Sequence, residues 1–283
     1  MLFGLVCALS FLSAVLLCAG TGAFHTFAFL WLVPVGFLGS FLVLTAIGFG
    51  IFLLVCKRID PEKQYEKDDP IFRWTVLEII DFLFKVLPIK LQTRGFENAP
   101  KDGRFLLVCN HLDNIDPAFL LHSFRQHNIA FVAKREAKTM FLVNKVMPKL
   151  LCPYINREND REALKTILHC ISLLKNDTVS VGIFPEGRIN KYRKLSHFRP
   201  GVFKIAQKAN VPIVVCTMTG TNHAIRRLLK LKQAPIDVHL LEVLPPEFLT
   251  DKTTVEVADY VYELMAKDLG PENVLTAEEE ENT

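Results

Sequence analysis

Two short segments of the sequence concentrate side chains able to do chemistry. One reads Asn110-His111-Leu112-Asp113-Asn114-Ile115-Asp116-Pro117, the other Phe184-Pro185-Glu186-Gly187-Arg188. In the first, His111 and Asp116 are five residues apart, a spacing that on a regular helix turns them about 140° away from each other. They can meet only if residues 112–115 make a turn, and Asp113 and Asn114 are turn formers. Asp116-Pro117 then reads as the N-cap and first residue of a following helix. A carboxylate folded back onto one imidazole nitrogen fixes the tautomer and makes the other nitrogen more basic. The product is a general base able to take a proton from an alcohol. By itself the spacing more often marks a loop histidine and a helix-capping aspartate, and Asp116 can cap and orient at once, since a carboxylate has two oxygens.

The second segment supplies different groups. Glu186 offers a hydroxyl acceptor, Arg188 a guanidinium, and the Gly187 turn free backbone N–H groups, a set able to hold a glycerol phosphate. Pro-Glu-Gly by itself is an ordinary turn.

Both segments follow apolar, β-branched runs. Strands are expected at Ile89–Thr93, Phe105–Cys109, Ile129–Val132, Thr178–Phe184, Ile213–Met218 and Val238–Val243, and helices at Ala118–Phe124, Asp160–Lys175, Gly201–Ala209 and Thr253–Lys267. This alternation predicts an α/β fold, with a mixed, largely parallel sheet flanked by helices, whose sites gather at the carboxyl ends of strands. No G-x-G-x-x-G, P-loop or H-E-x-x-H occurs, so nucleotide and zinc chemistry lack support, and neither a metal nor nucleic acid is expected. The absence of G-x-S-x-G argues against a covalent acyl-enzyme. Seven cysteines without a C-x-x-C pair suit buried thiols rather than a disulfide framework.

The chain uses two solvents. Residues 1–56 hold no Asp, Glu, Lys or Arg, whereas all 63 charged residues lie between Lys57 and Glu281. Apolar runs at 2–19 and 27–55 are each long enough to span a bilayer, and together predict an N-terminal transmembrane helical hairpin. The second run, roughly 43 Å as a helix, must tilt or break near Pro34, Gly36 and Gly39. A cleaved signal is disfavoured because no Lys or Arg precedes the first run. Lys57 and Arg58, directly after the second run, place the rest of the chain on the cytoplasmic face. After a charged linker, residues 70–85 form an amphipathic helix, either lying on the bilayer or packed on the core. Between Arg188 and Lys208 there are seven basic residues and no acidic one, a charge suited to anionic headgroups. The last 33 residues carry ten acidic and two basic residues and read as a solvated tail.

Taken together, the two segments resemble the N-H-x4-D and F-P-E-G blocks of the glycerolipid acyltransferase family that includes lysophosphatidic acid acyltransferase. Ala133-Lys134-Arg135-Glu136, Tyr154-Ile155-Asn156-Arg157 and Val211-Pro212-Ile213-Val214 resemble further blocks in the same order, so the resemblance covers about residues 104–221. It implies His111 and Asp116 as the catalytic pair, with Lys134, Arg157, Glu186, Gly187 and Arg188 toward substrate. It also implies an acyl-CoA or acyl carrier protein thioester as donor, a lysophospholipid as acceptor, the lipid bilayer as partner, and no cofactor. The implied organisation is a membrane anchor (1–56), a linker with an interfacial helix (57–88), an acyltransferase domain (89–270) and an acidic disordered tail (271–283). The chain departs from the family where Arg188-Ile189 replaces Thr-Arg, where Asp113 replaces Ser, and where Val215 replaces a second Pro. Lys191, Arg193 and Lys194 either compensate for the shifted arginine or are surface charge. Alternative acceptors are glycerol 3-phosphate, another lysophospholipid or a lipid amine; water as acceptor would make a thioesterase.

Overall fold

The computed structural model describes residues 1–63 and 65–282, so Gln64 of the linker and Thr283 of the tail lie outside the described residues. The chain begins with helices α1 (Leu2–Gly20), α2 (Phe29–Lys57) and α3 (Pro70–Val86). There follow β1 (Ile89–Arg94), β2 (Leu106–Cys109), α4 (Asp116–Ser123), β3 (Ile129–Phe131), β4 (Ala133–Lys134), α5 (Val143–Lys149), β5 (Tyr154–Ile155), α6 (Asp160–Lys175) and β6 (Ser180–Ile183). The rest comprises α7 (Lys204–Ala209), β7 (Ile213–Thr219), α8 (Thr221–Leu228), β8 (Ala234–Leu244), α9 (Pro246–Thr250), α10 (Thr254–Leu269) and α11 (Ala277–Glu281).

The main sheet has the order β1-β8-β7-β2-β6-β3. Only the β7–β8 pair is antiparallel, and the other neighbours run parallel. Strands β2, β3 and β6 are buried at every position, which is why they read as unbroken apolar runs. β2 lies at the centre beside β6, so the loops leaving their carboxyl ends are neighbours. β8 starts four residues earlier than expected, because Pro235 argues against a strand in sequence yet pairs with Lys90 of β1.

The N-terminal helices are both long and apolar enough to cross a membrane. They pack through small residues: Ser10, Ala14 and Cys18 are buried, Gly36 lies within 3.4 Å of Ala14, measured from a Cβ built on the glycine, and Ser40 Oγ donates to the Ser10 carbonyl at 3.1 Å. α2 stays continuous through Pro34.

α3 starts at Asp69, whose side chain accepts from the Phe72 N–H at 3.0 Å, with Pro70 first in the helix. Its polar residues Arg73, Glu78 and Asp81 are the ones that turn inward, while Ile71, Trp74 and Leu83 are exposed. Arg73 donates to the carbonyls of Ile129 and Leu150 and pairs with Asp68. The helix therefore packs on the core and also presents an apolar outer face. Phe72 meets Phe52 and Phe82 meets Phe41, with centroids about 6 Å apart, so α3 runs antiparallel along the C-terminal half of α2.

The tail differs from the expectation of disorder. Leu195 and Val274 form a β-bridge, Thr276 and Glu279 make a capping box at α11, and Lys194 and His197 pair with Glu279 and Glu280. The acids that look solvated in sequence neutralise the basic segment beside the site.

Candidate active site

Strand β2 delivers Asn110 and His111 to the sheet's carboxyl edge. Asn110 is buried and clamps β7, donating to the Met218 carbonyl at 2.9 Å and accepting from its N–H at 2.7 Å. The next four residues turn sharply, and His111 Nδ1 comes within 2.9 Å of Asp116 Oδ2. Asp116 is the first residue of α4 rather than its cap. Its Oδ2 accepts from the backbone N–H groups of Leu112 (2.7 Å) and Asp113 (2.8 Å) as well as facing the imidazole. The carboxylate is fully buried, and Oδ1 has no partner among the described residues. All of its hydrogen bonding is thus spent on holding the turn and the ring. A second tie comes from Arg193, at φ +53°, which donates to the Leu112 carbonyl at 2.7 Å and pairs with Asp113.

The ring is also fixed from its face. Phe184 stacks on His111 with centroids 4.0 Å apart and 12° between planes, and Phe131 stacks behind Phe184 at 5.8 Å. Gly182 makes room for this column, since a Cβ there would run into the Phe131 ring. Nδ1 is committed to Asp116, Nε2 has no partner among the described residues, and the side chain keeps 14% exposure. Nε2 is therefore the nitrogen left for a substrate proton. Cys109, two residues earlier, is buried, and burial pushes its thiol pKa well up, which makes it a poor nucleophile.

Glu186 enters from the neighbouring strand end. Its Oε1 accepts from the His111 N–H at 2.8 Å, and Oε2 accepts from the Ser196 N–H (3.1 Å) and Oγ (2.9 Å). It is buried, and burial raises its pKa to about 8 against the opposing pull of those three donors. The expectation that this carboxylate meets acceptor hydroxyls does not fit its placement, because both oxygens serve protein groups. Ser196, with no motif around it, was not legible as a site residue.

The cations divide. Arg188 is exposed and unpaired among the described residues. Lys194 is taken by Glu279, and Arg193 by Asp113. Lys134 and Arg157 line one cleft with Asn156. Arg199, outside every motif read from the sequence, lies over Gly187: at φ +75° that residue has no Cβ, and one built there would stand 2.9 Å from Arg199 Nε. Burial first, and then repulsion from Arg199, lowers the pKa of Arg157. Arg199 thus lies against the glycine turn, and Arg157 is near enough to feel its charge. No cluster of His, Cys, Asp or Glu able to hold a metal occurs among the described residues.

The family pattern described as Acyltransferase matches residues 90–219, the span carrying both loops. The probable 1-acyl-sn-glycerol-3-phosphate acyltransferase of Mycoplasma pneumoniae is 28% identical over 62% of this chain and 64% of its own length. The 1-acyl-sn-glycerol-3-phosphate acyltransferase of Limnanthes douglasii is 29% identical over 62% and 60%. The chain thus spans about three fifths of the length of these curated relatives. The crystal structure of the 1-acyl-sn-glycerophosphate acyltransferase from Thermotoga maritima superposes with a TM-score of 0.59 at 26% identity, over 78% of this chain and 86% of that one. With the two loops side by side at adjacent strand ends, residues 90–219 form a domain of the acyltransferase family.

Proposed function

We propose that this chain moves a fatty acyl group from an acyl thioester, carried on coenzyme A or acyl carrier protein, to the free hydroxyl of lysophosphatidic acid, giving phosphatidic acid. The observation that carries this reading is the contact of His111 Nδ1 with the buried carboxylate of Asp116 at 2.9 Å, which leaves Nε2 free. Nε2 takes the hydroxyl proton as that oxygen attacks the thioester carbonyl. Asp116 stabilises the imidazolium. Collapse of the tetrahedral intermediate expels the thiolate, which recovers the proton from His111. A base of this kind contributes about 10²–10⁴-fold, and positioning of two bound substrates supplies much of the rest.

Arg157 and Arg199 hold the acceptor phosphate across Gly187, with Lys134 and Arg188 at the margin of the same basic face. Glu186 acts as a positioning residue by fixing the backbone of His111. The hairpin of α1 and α2 keeps the site at the bilayer, and Lys57 and Arg58 set it on the cytoplasmic side. The names of the relatives support a phosphorylated glycerol acceptor. The test is acyl transfer in detergent micelles with lysophosphatidic acid, glycerol 3-phosphate and a lysophosphatidylcholine as competing acceptors. Preference for the first is expected, and equal or better use of another acceptor would overturn the substrate assignment.

A further inference from the structure

The connection from β7 to β8 carries groups that the active site does not use. α8 and the turn after it expose Ile225, Arg226, Arg227, Leu229, Lys230, Leu231 and Lys232. Leu229 is 82% exposed and Leu231 89%, the highest value of any large apolar side chain. Leu231 also adopts φ +52°, a left-handed conformation that a leucine seldom takes. The turn is nonetheless well built. Arg227 Nε donates to the Gln233 carbonyl at 2.6 Å, the Lys232 N–H to the Arg227 carbonyl at 2.9 Å, and the Leu231 N–H to the Leu228 carbonyl at 2.9 Å. It therefore presents its two leucines as a fixed projection. No Asp or Glu occurs between Glu186 and Asp237, so no local acid offsets the cations.

The position of the turn identifies what covers it. Ala234 pairs with Ile89, and its N–H donates to the Pro88 carbonyl at 2.8 Å, which sets the turn beside the end of α3. Leu83, Val86 and Leu87 are exposed there. Phe82 of the same helix packs on Phe3 and Phe41 of the apolar hairpin. Exposed apolar side chains thus occur on the hairpin, at the end of α3 and at Leu229 and Leu231, and the last two alternate with exposed cations. That combination, bare leucines between lysines and arginines, matches the boundary of an anionic leaflet, with acyl chains below and phosphates above.

We propose that the turn at residues 228–232 is a second membrane contact, which sets Leu229 and Leu231 into the acyl boundary while Arg226, Lys230 and Lys232 meet lipid phosphates. With the hairpin it gives the catalytic domain two separated points of attachment and so a fixed tilt on the bilayer.

The test uses the full chain in proteoliposomes of phosphatidylcholine and phosphatidylglycerol. The sequence has two tryptophans, Trp31 and Trp74, which are replaced by Phe to give a dark background. Single reporters are then Leu229→Trp and Leu231→Trp, with Lys175→Trp on exposed α6 as control. Brominated acyl chains are expected to quench both turn reporters several-fold and leave the control unchanged, while acrylamide does the reverse. High salt, or removal of phosphatidylglycerol, is expected to weaken the bromine effect. Acrylamide quenching of the turn reporters to the level of the control overturns the proposal. So does shielding from both quenchers, the signature of a second copy or another protein on the turn. A measurement without leucine substitution guards against misfolding: in the wild-type chain, Lys230 and Lys232 should react several-fold more slowly with a membrane-impermeant amine reagent in these liposomes than in detergent, relative to Lys175. Equal reactivity overturns it.

Discussion

The backbone N–H of His111 donates to Oε1 of Glu186 at 2.8 Å, so the two loops that carry the chemistry are joined through main chain and carboxylate. The other oxygen of Glu186 is held by Ser196, which links the base to the segment carrying Arg199. Replacement by Gln keeps the shape but leaves one oxygen to accept where two did, so its amide nitrogen faces a donor from His111 or Ser196. A buried donor left without its acceptor costs about 1–3 kcal/mol, so Glu186→Gln should lower kcat by roughly 10- to 100-fold with little change in KM for the acceptor. Steady-state kinetics in micelles checks this; a rise in KM alone would point instead to direct substrate contact.

The same carboxyl gives a pH signature. Its pKa in the folded chain is raised to about 8 by burial, against about 4.3 for an unperturbed glutamate. Between those values the unfolded chain has released the proton that the folded chain keeps, so stability falls as pH rises through this window and levels off above it. Thermal melts in detergent should show that decline in the wild type and a flatter profile in Glu186→Gln.

Arg157 and Arg199 should act as a pair. Removing either guanidinium by Ala substitution is expected to raise KM for lysophosphatidic acid by about 10- to 100-fold, the cost of one charge-assisted contact, with kcat largely kept. The double variant should show less than the sum of the two losses, because phosphate binding relieves a repulsion that either single substitution already removes. Additive effects would mean separate sites.

Gly182 supports the ring column behind His111. A methyl group there overlaps the Phe131 ring, and overpacking of this kind typically costs about 1–3 kcal/mol. Gly182→Ala should lower Tm and activity together, and adding Phe131→Leu should recover much of both.

The meeting of His111 and Asp116 was legible through the family resemblance: the turn-forming stretch permits it, but the spacing alone also fits a loop histidine and a capping aspartate. The parallel core was legible for a similar reason, since fully buried strands such as Leu106–Cys109 appear as unbroken apolar runs. Hidden from sequence were contacts made by tertiary closure. Arg199 has no special neighbours in the chain, and tertiary closure sets it over Gly187, with its N–H on the Pro185 carbonyl. The acidic tail looked solvated because its partners, Lys194 and His197, lie about 80 residues earlier. The polarity of α3 could be read but not its direction: Arg73 is buried because carbonyls of Ile129 and Leu150 await it, which no local pattern encodes.

The most direct measurement is acyl transfer by His111→Ala and Asp116→Asn beside the wild type, each checked for an unchanged circular dichroism spectrum. Loss of the base should abolish turnover, and loss of the aspartate charge should lower kcat by about 10²–10⁴-fold. Near-normal transfer by a folded His111→Ala protein would contradict general-base catalysis at this site.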